Sequence, residues 1–164
     1  MSVGVNPNIS GEMREGHHVL AVRVYYEDTD FTGVVYHASY LRFMERGRTD
    51  YMRLLGVAQS ALFAETERET PGFHFVVRSM SIEFLRSAHM DDVLTIITQP
   101  EEVRGASVTL RQWIMREAET LIEARVRVAF ITDGKARRIP QALRTAMAPR
   151  SKAPGPCDTG SPGR

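Results

Sequence analysis

ASYLRFMERGRTDYMRLLG, residues 38–56, is the stretch that decides the fold. Tyr40, Met44, Gly47, Tyr51 and Leu55 recur at helical spacing, and Leu41, Phe43 and Leu54 widen the apolar stripe. The opposite face carries Arg42, Glu45, Arg46, Arg48 and Arg53. The spacing predicts one long amphipathic helix that stops at Gly56, where a glycine suits a C-terminal cap.

Outward from that helix the period changes to two. Upstream, Leu20, Val22, Val24 and Tyr26 alternate with Ala21, Arg23 and Tyr25, as one strand would. On that phase Tyr26 reads as a core tyrosine. Downstream, residues 57–72 form a short helix or irregular segment, and strands follow at Phe73–Leu85, Val93–Gln99, Val108–Met115 and Leu121–Thr132. In the last of these Ile122, Ala124, Val126, Val128 and Phe130 share one face. Asp91-Asp92, Arg104-Gly105 and Glu119-Thr120 sit where hairpin turns belong. A short helix over Pro140–Met147 closes the unit. Strands joined by short connections make an antiparallel sheet, and a single long helix must bury its stripe against it. The expectation is an α+β domain over residues 17–148, flanked by a flexible segment 1–16 and a disordered tail 149–164. Open sheet edges predict a homodimer or homotetramer.

The bulk numbers exclude several classes. The chain has 164 residues, 43% apolar and 25% charged, with a net charge of +1. That length suits a single domain. Charges of both signs are interspersed, so no nucleic-acid face is indicated. There is no leader-like or membrane-spanning apolar run, which predicts a cytoplasmic protein with no transmembrane segment. The one cysteine, Cys157, lies in the Pro/Gly-rich tail, away from any environment that could activate a thiol. His17, His18, His74 and His89 have no matching ligand set, so no metal and no cofactor is assigned.

The chemistry gathers in YYEDTDFTGVVYH, residues 25–37. Glu27, Asp28 and Asp30 crowd a turn between the first strand and the main helix, and Gly33 and His37 follow. A helix N-terminus offers unpaired N–H groups and a partial positive charge, which suits a developing oxyanion. Gly33 would allow close backbone approach to a substrate. A thiolate leaving group, with a thiol pKa of about 8.5, needs no strong general acid. A carboxylate here could therefore attack a thioester or deprotonate a water. On spacing alone, an acidic turn that only caps a helix is the favoured reading.

Residues 22–55, VRVYYEDTDFTGVVYHASYLRFMERGRTDYMRLL, closely resemble the tol-pal-associated acyl-CoA thioesterases, in the 4-hydroxybenzoyl-CoA thioesterase-like group of hotdog proteins. The likeness continues through FHFVVRSMSIEFLRSAHMDDVLTI, residues 73–96, and reaches RRIP at 137–140. It implies a hotdog fold, a sheet wrapped around a central helix, and hydrolysis of acyl-CoA to acid and CoA. It implies Asp30 as nucleophile or general base, His37 through its backbone N–H and its imidazole, and Tyr26 as an active-site tyrosine. Gly33 would join His37 at the oxyanion site. Phe31-Thr32 stands where relatives have a small or Pro-containing pair. Arg104, Lys135, Arg137 and Arg138 are candidate contacts for CoA phosphates. Arg138 has the better case, from the RRIP segment, and Ser87 is a candidate for the pantetheine channel. Asp28 reads as a turn residue and Glu45 as a solvated or paired helix carboxylate. Acyl carrier protein is a second candidate carrier, and peripheral membrane association is compatible with the resemblance. A non-catalytic acyl-thioester-binding or scaffold protein of envelope or phospholipid metabolism is the reading from another class.

Overall fold

A computed structural model describes residues 9–150. Cys157 and most of the C-terminal tail lie outside the described residues. Within them the elements are strand β1 (Glu12–Arg14), β2 (His17–Arg23), helix α1 (His37–Ala58), α2 (Ser60–Glu69), β3 (His74–Phe84), β4 (Val93–Arg104), β5 (Ser107–Arg116), β6 (Glu119–Thr132), β7 (Lys135–Ala136) and α3 (Gln141–Ala146). β1 falls inside the polar N-terminal stretch and pairs with β2.

All pairings are antiparallel, in the order β1-β2-β4-β5-β6-β3, with β7 on β6. β3 therefore pairs with β6 at the far edge, not with the strand that follows it in sequence. α1, 22 residues long, buries Tyr40, Phe43, Met44, Gly47, Asp50 and Tyr51 along one stripe. This is the hotdog arrangement, a sheet around a long helix.

Helix and sheet are in close contact at Gly47. A Cβ there would lie 2.9 Å from Ile96 Cγ2 and 3.0 Å from Thr98 Oγ1. Glycine costs about 1 kcal/mol of helix propensity relative to alanine. Here it admits a polar cross-link. Buried Gln112 donates from Nε2 to the Met44 carbonyl at 2.9 Å and to Thr98 Oγ1 at 2.8 Å, and its Oε1 accepts from Arg48 at 2.9 Å. A second buried link joins the same helix to β2. His18 donates from Nε2 to Asp50 Oδ2 at 2.8 Å, and the Gly11 N–H reaches the same oxygen at 2.7 Å. A carboxylate only accepts, so the proton lies on Nε2. Burial holds the His18 pKa below its ordinary value despite the Asp50 hydrogen bond.

Four local expectations are corrected. The first strand ends at Arg23, and Tyr26 begins a 3-10 turn, Tyr26–Asp28, in which it is 82% exposed. The cause is Asp28, whose buried carboxylate captures the Tyr25 N–H at 2.9 Å and turns the chain. α1 runs through Gly56 to Ala58, because the helix leads directly into α2, whose Phe63 packs with Phe73 and the second core cluster. β4 continues past Pro100 to Arg104, since a register shift between Pro100 and Glu102 absorbs the missing N–H. The β5–β6 turn is Glu117-Ala118, between the paired Arg116 and Glu119, with Glu117 at φ 51°.

Candidate active site

Asp30 stands on a narrow loop between β2 and α1. The loop closes on itself: Tyr36 N donates to the Asp28 carbonyl at 2.9 Å, Thr29 bridges Val35, and Asp30 N donates to the Val34 carbonyl at 2.8 Å. The tip is Phe31-Thr32-Gly33. Gly33 has φ 85°, in the left-handed region, and a Cβ there would meet no protein atom within 4 Å. Its requirement is conformational, and its N–H is spent on the Asp30 carbonyl at 3.1 Å. Gly33 therefore shapes the tip and does not present a free donor, in contrast to the oxyanion role given to it above.

The loop leans on the segment 86–92. Val35 N donates to the Ala88 carbonyl at 2.8 Å, Val34 bridges His89, and Ala88 N donates to the buried Tyr40 hydroxyl at 2.9 Å. Asp92 Oδ2 fastens that segment, accepting from His89 N at 2.9 Å and from Arg116 at 2.8 Å. Burial raises the Asp92 pKa, but these two donors outweigh it and leave the group below its ordinary value. Ser87 is exposed in this segment, at the same end of the molecule as Asp30.

The Asp30 side chain is exposed. Its Oδ1 accepts from Thr32 N at 2.7 Å and from the Thr32 hydroxyl at 2.6 Å. The Thr32 hydroxyl first, then its N–H, hold the Asp30 pKa below the ordinary carboxylate value. α1 starts at His37 directly after the loop. Its N-cap, Tyr36, is extended, and no side chain caps the terminus. Ser39 N donates to the Tyr36 carbonyl at 2.8 Å, while the first N–H groups of a helix ahead of such a bond have no intrahelical partner, so this end can receive an anion. The exposed His37 ring sits edge-on to Tyr36, with centroids 4.5 Å apart, and to Phe84 at 6.3 Å.

Asp30, His37, Ser87 and the exposed Tyr26 thus share one end of the domain. Arg104 and Arg138 do not. Arg104 closes β4, and Ile139, next to Arg138, donates its N–H to the Gly105 carbonyl at 2.8 Å. They lie at the opposite end of the 12-residue β4, a distance of roughly 35 Å along the strand. Glu45 accepts from Thr49 at 2.6 Å, as a paired helix carboxylate. Thr32 was missed by the sequence reading. The signal was available, since Asp followed two residues later by Thr is a turn in which the carboxylate caps a backbone N–H.

One side of α1 is less covered than the other. Ile82, Met80 and Phe75 pack towards it from β3, and the half-exposed Phe84 and Val77 flank Tyr40 and Arg48, their phase preserved by a register shift between Val77 and Ser79. Between α1 and this row lies a cavity of about 300 Å³, lined in part by Arg48, Met52, Phe75, Val77 and Leu110.

An antiparallel sheet wrapped around one long helix defines a hotdog protein. Residues 32–123 match the family model described as the thioesterase superfamily, and the chain belongs to that family. It is 45% identical over 114 residues to the acyl-CoA thioesterase YbgC of Haemophilus influenzae, covering 70% of this chain and 80% of that one. It is 46% identical over 111 residues to the acyl-CoA thioester hydrolase YbgC of Escherichia coli O157:H7, covering 67% and 78%. Among solved structures, a probable thioesterase from Bartonella henselae superposes with a TM-score of 0.62 at 40% identity, over 76% of this chain and 99% of that one. A mutant 4-hydroxybenzoyl CoA thioesterase complexed with 4-hydroxybenzoyl CoA superposes at 0.68 with 22% identity, over 81% and 99%, which bears on the fold. Among the described residues no helix is long and apolar enough to cross a membrane.

Proposed function

We propose that this thioesterase hydrolyses acyl-CoA to free acid and CoA, with Asp30 as the reacting carboxylate and the N-terminus of α1 as the oxyanion site. The observation that carries the reading is the free oxygen of Asp30, held on a closed loop directly ahead of an uncapped helix end. In one route Asp30 takes a proton from water as the water oxygen bonds to the carbonyl carbon. In the other, Asp30 itself bonds to that carbon and water then cleaves the anhydride. In both, negative charge passes to the carbonyl oxygen, where the N–H groups of the first helical turn, His37 foremost, stabilise it. The tetrahedral adduct collapses by breaking the C–S bond, and CoA leaves as thiolate.

The acyl group runs along the groove between α1 and β3, towards the apolar cavity beside Arg48. β3 supports a homodimer, because it is an 11-residue edge strand with Val76, Val77 and Phe84 exposed. A two-fold pairing of β3 edges sets the His74 end of one copy against the Phe84 end of the other. The Arg137 N–H bonds to the Phe130 carbonyl near that His74 end. Arg138 of the partner subunit is then the candidate for the CoA phosphates, which accounts for its distance from Asp30 within one chain.

The test is free-thiol release from a panel of aliphatic and aromatic acyl-CoAs, alongside acyl carrier protein esters. Turnover of one or more acyl-CoAs is expected. Turnover of carrier-protein esters alone would move the substrate to that carrier, and silence on both would contradict the catalytic reading.

A further inference from the structure

We propose that Thr32 is a positioning residue for the reaction, its hydroxyl and backbone N–H together clamping one oxygen of Asp30 and leaving the other to react. The inference rests on the reading of Asp30 given above. Both short bonds fall on Oδ1, at 2.6 and 2.7 Å, and among the described residues none falls on Oδ2. An exposed carboxylate would otherwise rotate freely and spend little time facing a substrate carbon. Two donors converging on one oxygen fix both the torsion and the choice of oxygen, which converts a mobile group into an aimed one.

The hydroxyl is not needed to close the loop. That work is done by backbone bonds from Asp30 N to Val34, Gly33 N to Asp30, and Tyr36 N to Asp28. The Thr32 side chain is exposed, and its hydrogen bond goes to the carboxylate. The clamp also sets where Asp30 titrates. Its lowered pKa comes first from the Thr32 hydroxyl and then from the Thr32 N–H, with smaller contributions from the Val34 and Gly33 N–H groups, and no charged side chain contributes. The carboxylate therefore stays ionised further into the acid range than a free one, at the cost of some basicity.

The test is the pH profile of butyryl-CoA and benzoyl-CoA hydrolysis by the full chain and by Thr32→Val, Thr32→Ser and Asp30→Asn. Valine keeps the branched shape and lacks the donor. For Thr32→Val, kcat should fall about 3- to 10-fold with KM held, the scale of one lost hydrogen bond. Its acid limb should move to higher pH, because removing the donor raises the carboxylate pKa. Thr32→Ser should restore both. In the Asp30→Asn background, Thr32→Val should cost nothing further. An unmoved acid limb in Thr32→Val, or a serine variant that behaves like valine, overturns the clamp. Full turnover by Asp30→Asn alone would instead remove the reading of Asp30, and the clamp with it.

Discussion

Asp30 precedes α1 and Asp50 lies within it, and the protein treats the two aspartates in opposite ways. Asp50 is 4% exposed and both its oxygens are engaged: Oδ2 by Gly11 and His18, Oδ1 by Arg53 at 3.4 Å. Gly11 has no room for a Cβ, which would lie 2.3 Å from the Val19 carbonyl oxygen, so its amide can reach the carboxylate. Asp30 is exposed, one oxygen is tied to its own loop, and the other is left open. A buried carboxylate must be fully satisfied to be tolerated, and once satisfied it is chemically inert. A carboxylate meant to react needs an orientation and an unspent oxygen. The same residue type thus serves as a fastener in the middle of the helix and, on the function proposed above, as a reagent ahead of its N-terminal end.

Stability measurements sharpen that contrast. The largest effect belongs to Asp50→Ala, which strands the half-buried Gly11 donor and the buried His18 donor. A loss of about 3 kcal/mol is expected, seen as a fall in Tm on the order of 10 °C for a domain of this size. An unchanged Tm would break the fastener reading. Gly47→Ala comes next. Its new Cβ presses on Ile96, Thr98 and Gln112, and a loss of about 1–3 kcal/mol should appear in a denaturation midpoint. The smallest shift has the opposite sign. At Gly56 a Cβ would meet only Phe63, at 4.0 Å, so Gly56→Ala should gain about 0.5–1 kcal/mol by the same measurement. If the two glycine variants behaved alike, the close helix–sheet contact at Gly47 would not be what sets its residue.

These pairs also mark how far the sequence could be read. The stripe from Tyr40 to Tyr51 and the alternation of β6 are periodic, so helix, sheet and their packing were legible. The acidic turn at 27–30 drew attention to Asp30 because three carboxylates before a helix are chemically conspicuous. Contacts between distant positions leave no such periodic mark. His18 and Asp50 are 32 residues apart, and Gln112 and Met44 are 68 apart, and nothing local announces either link. Strand order was hidden for the same reason, which is why β3 came to the far edge and Arg104 and Arg138 to the far end. Tyr26 and Gly56 failed differently. Period and propensity were read correctly there, but the capture of the Tyr25 N–H by Asp28 and the continuation into α2 override them.

Asp30→Asn sits at the other extreme of the stability series, where no change in Tm is expected because the group is exposed and its loop is closed by backbone bonds. Its kcat on an acyl-CoA is therefore the most direct measurement of the central claim. The amide can still accept from Thr32 but can neither attack carbon nor hold a proton from water. With folding verified by an unchanged Tm, kcat should fall by about 10²- to 10⁴-fold. A variant that keeps wild-type turnover would contradict the assignment of the chemistry to Asp30.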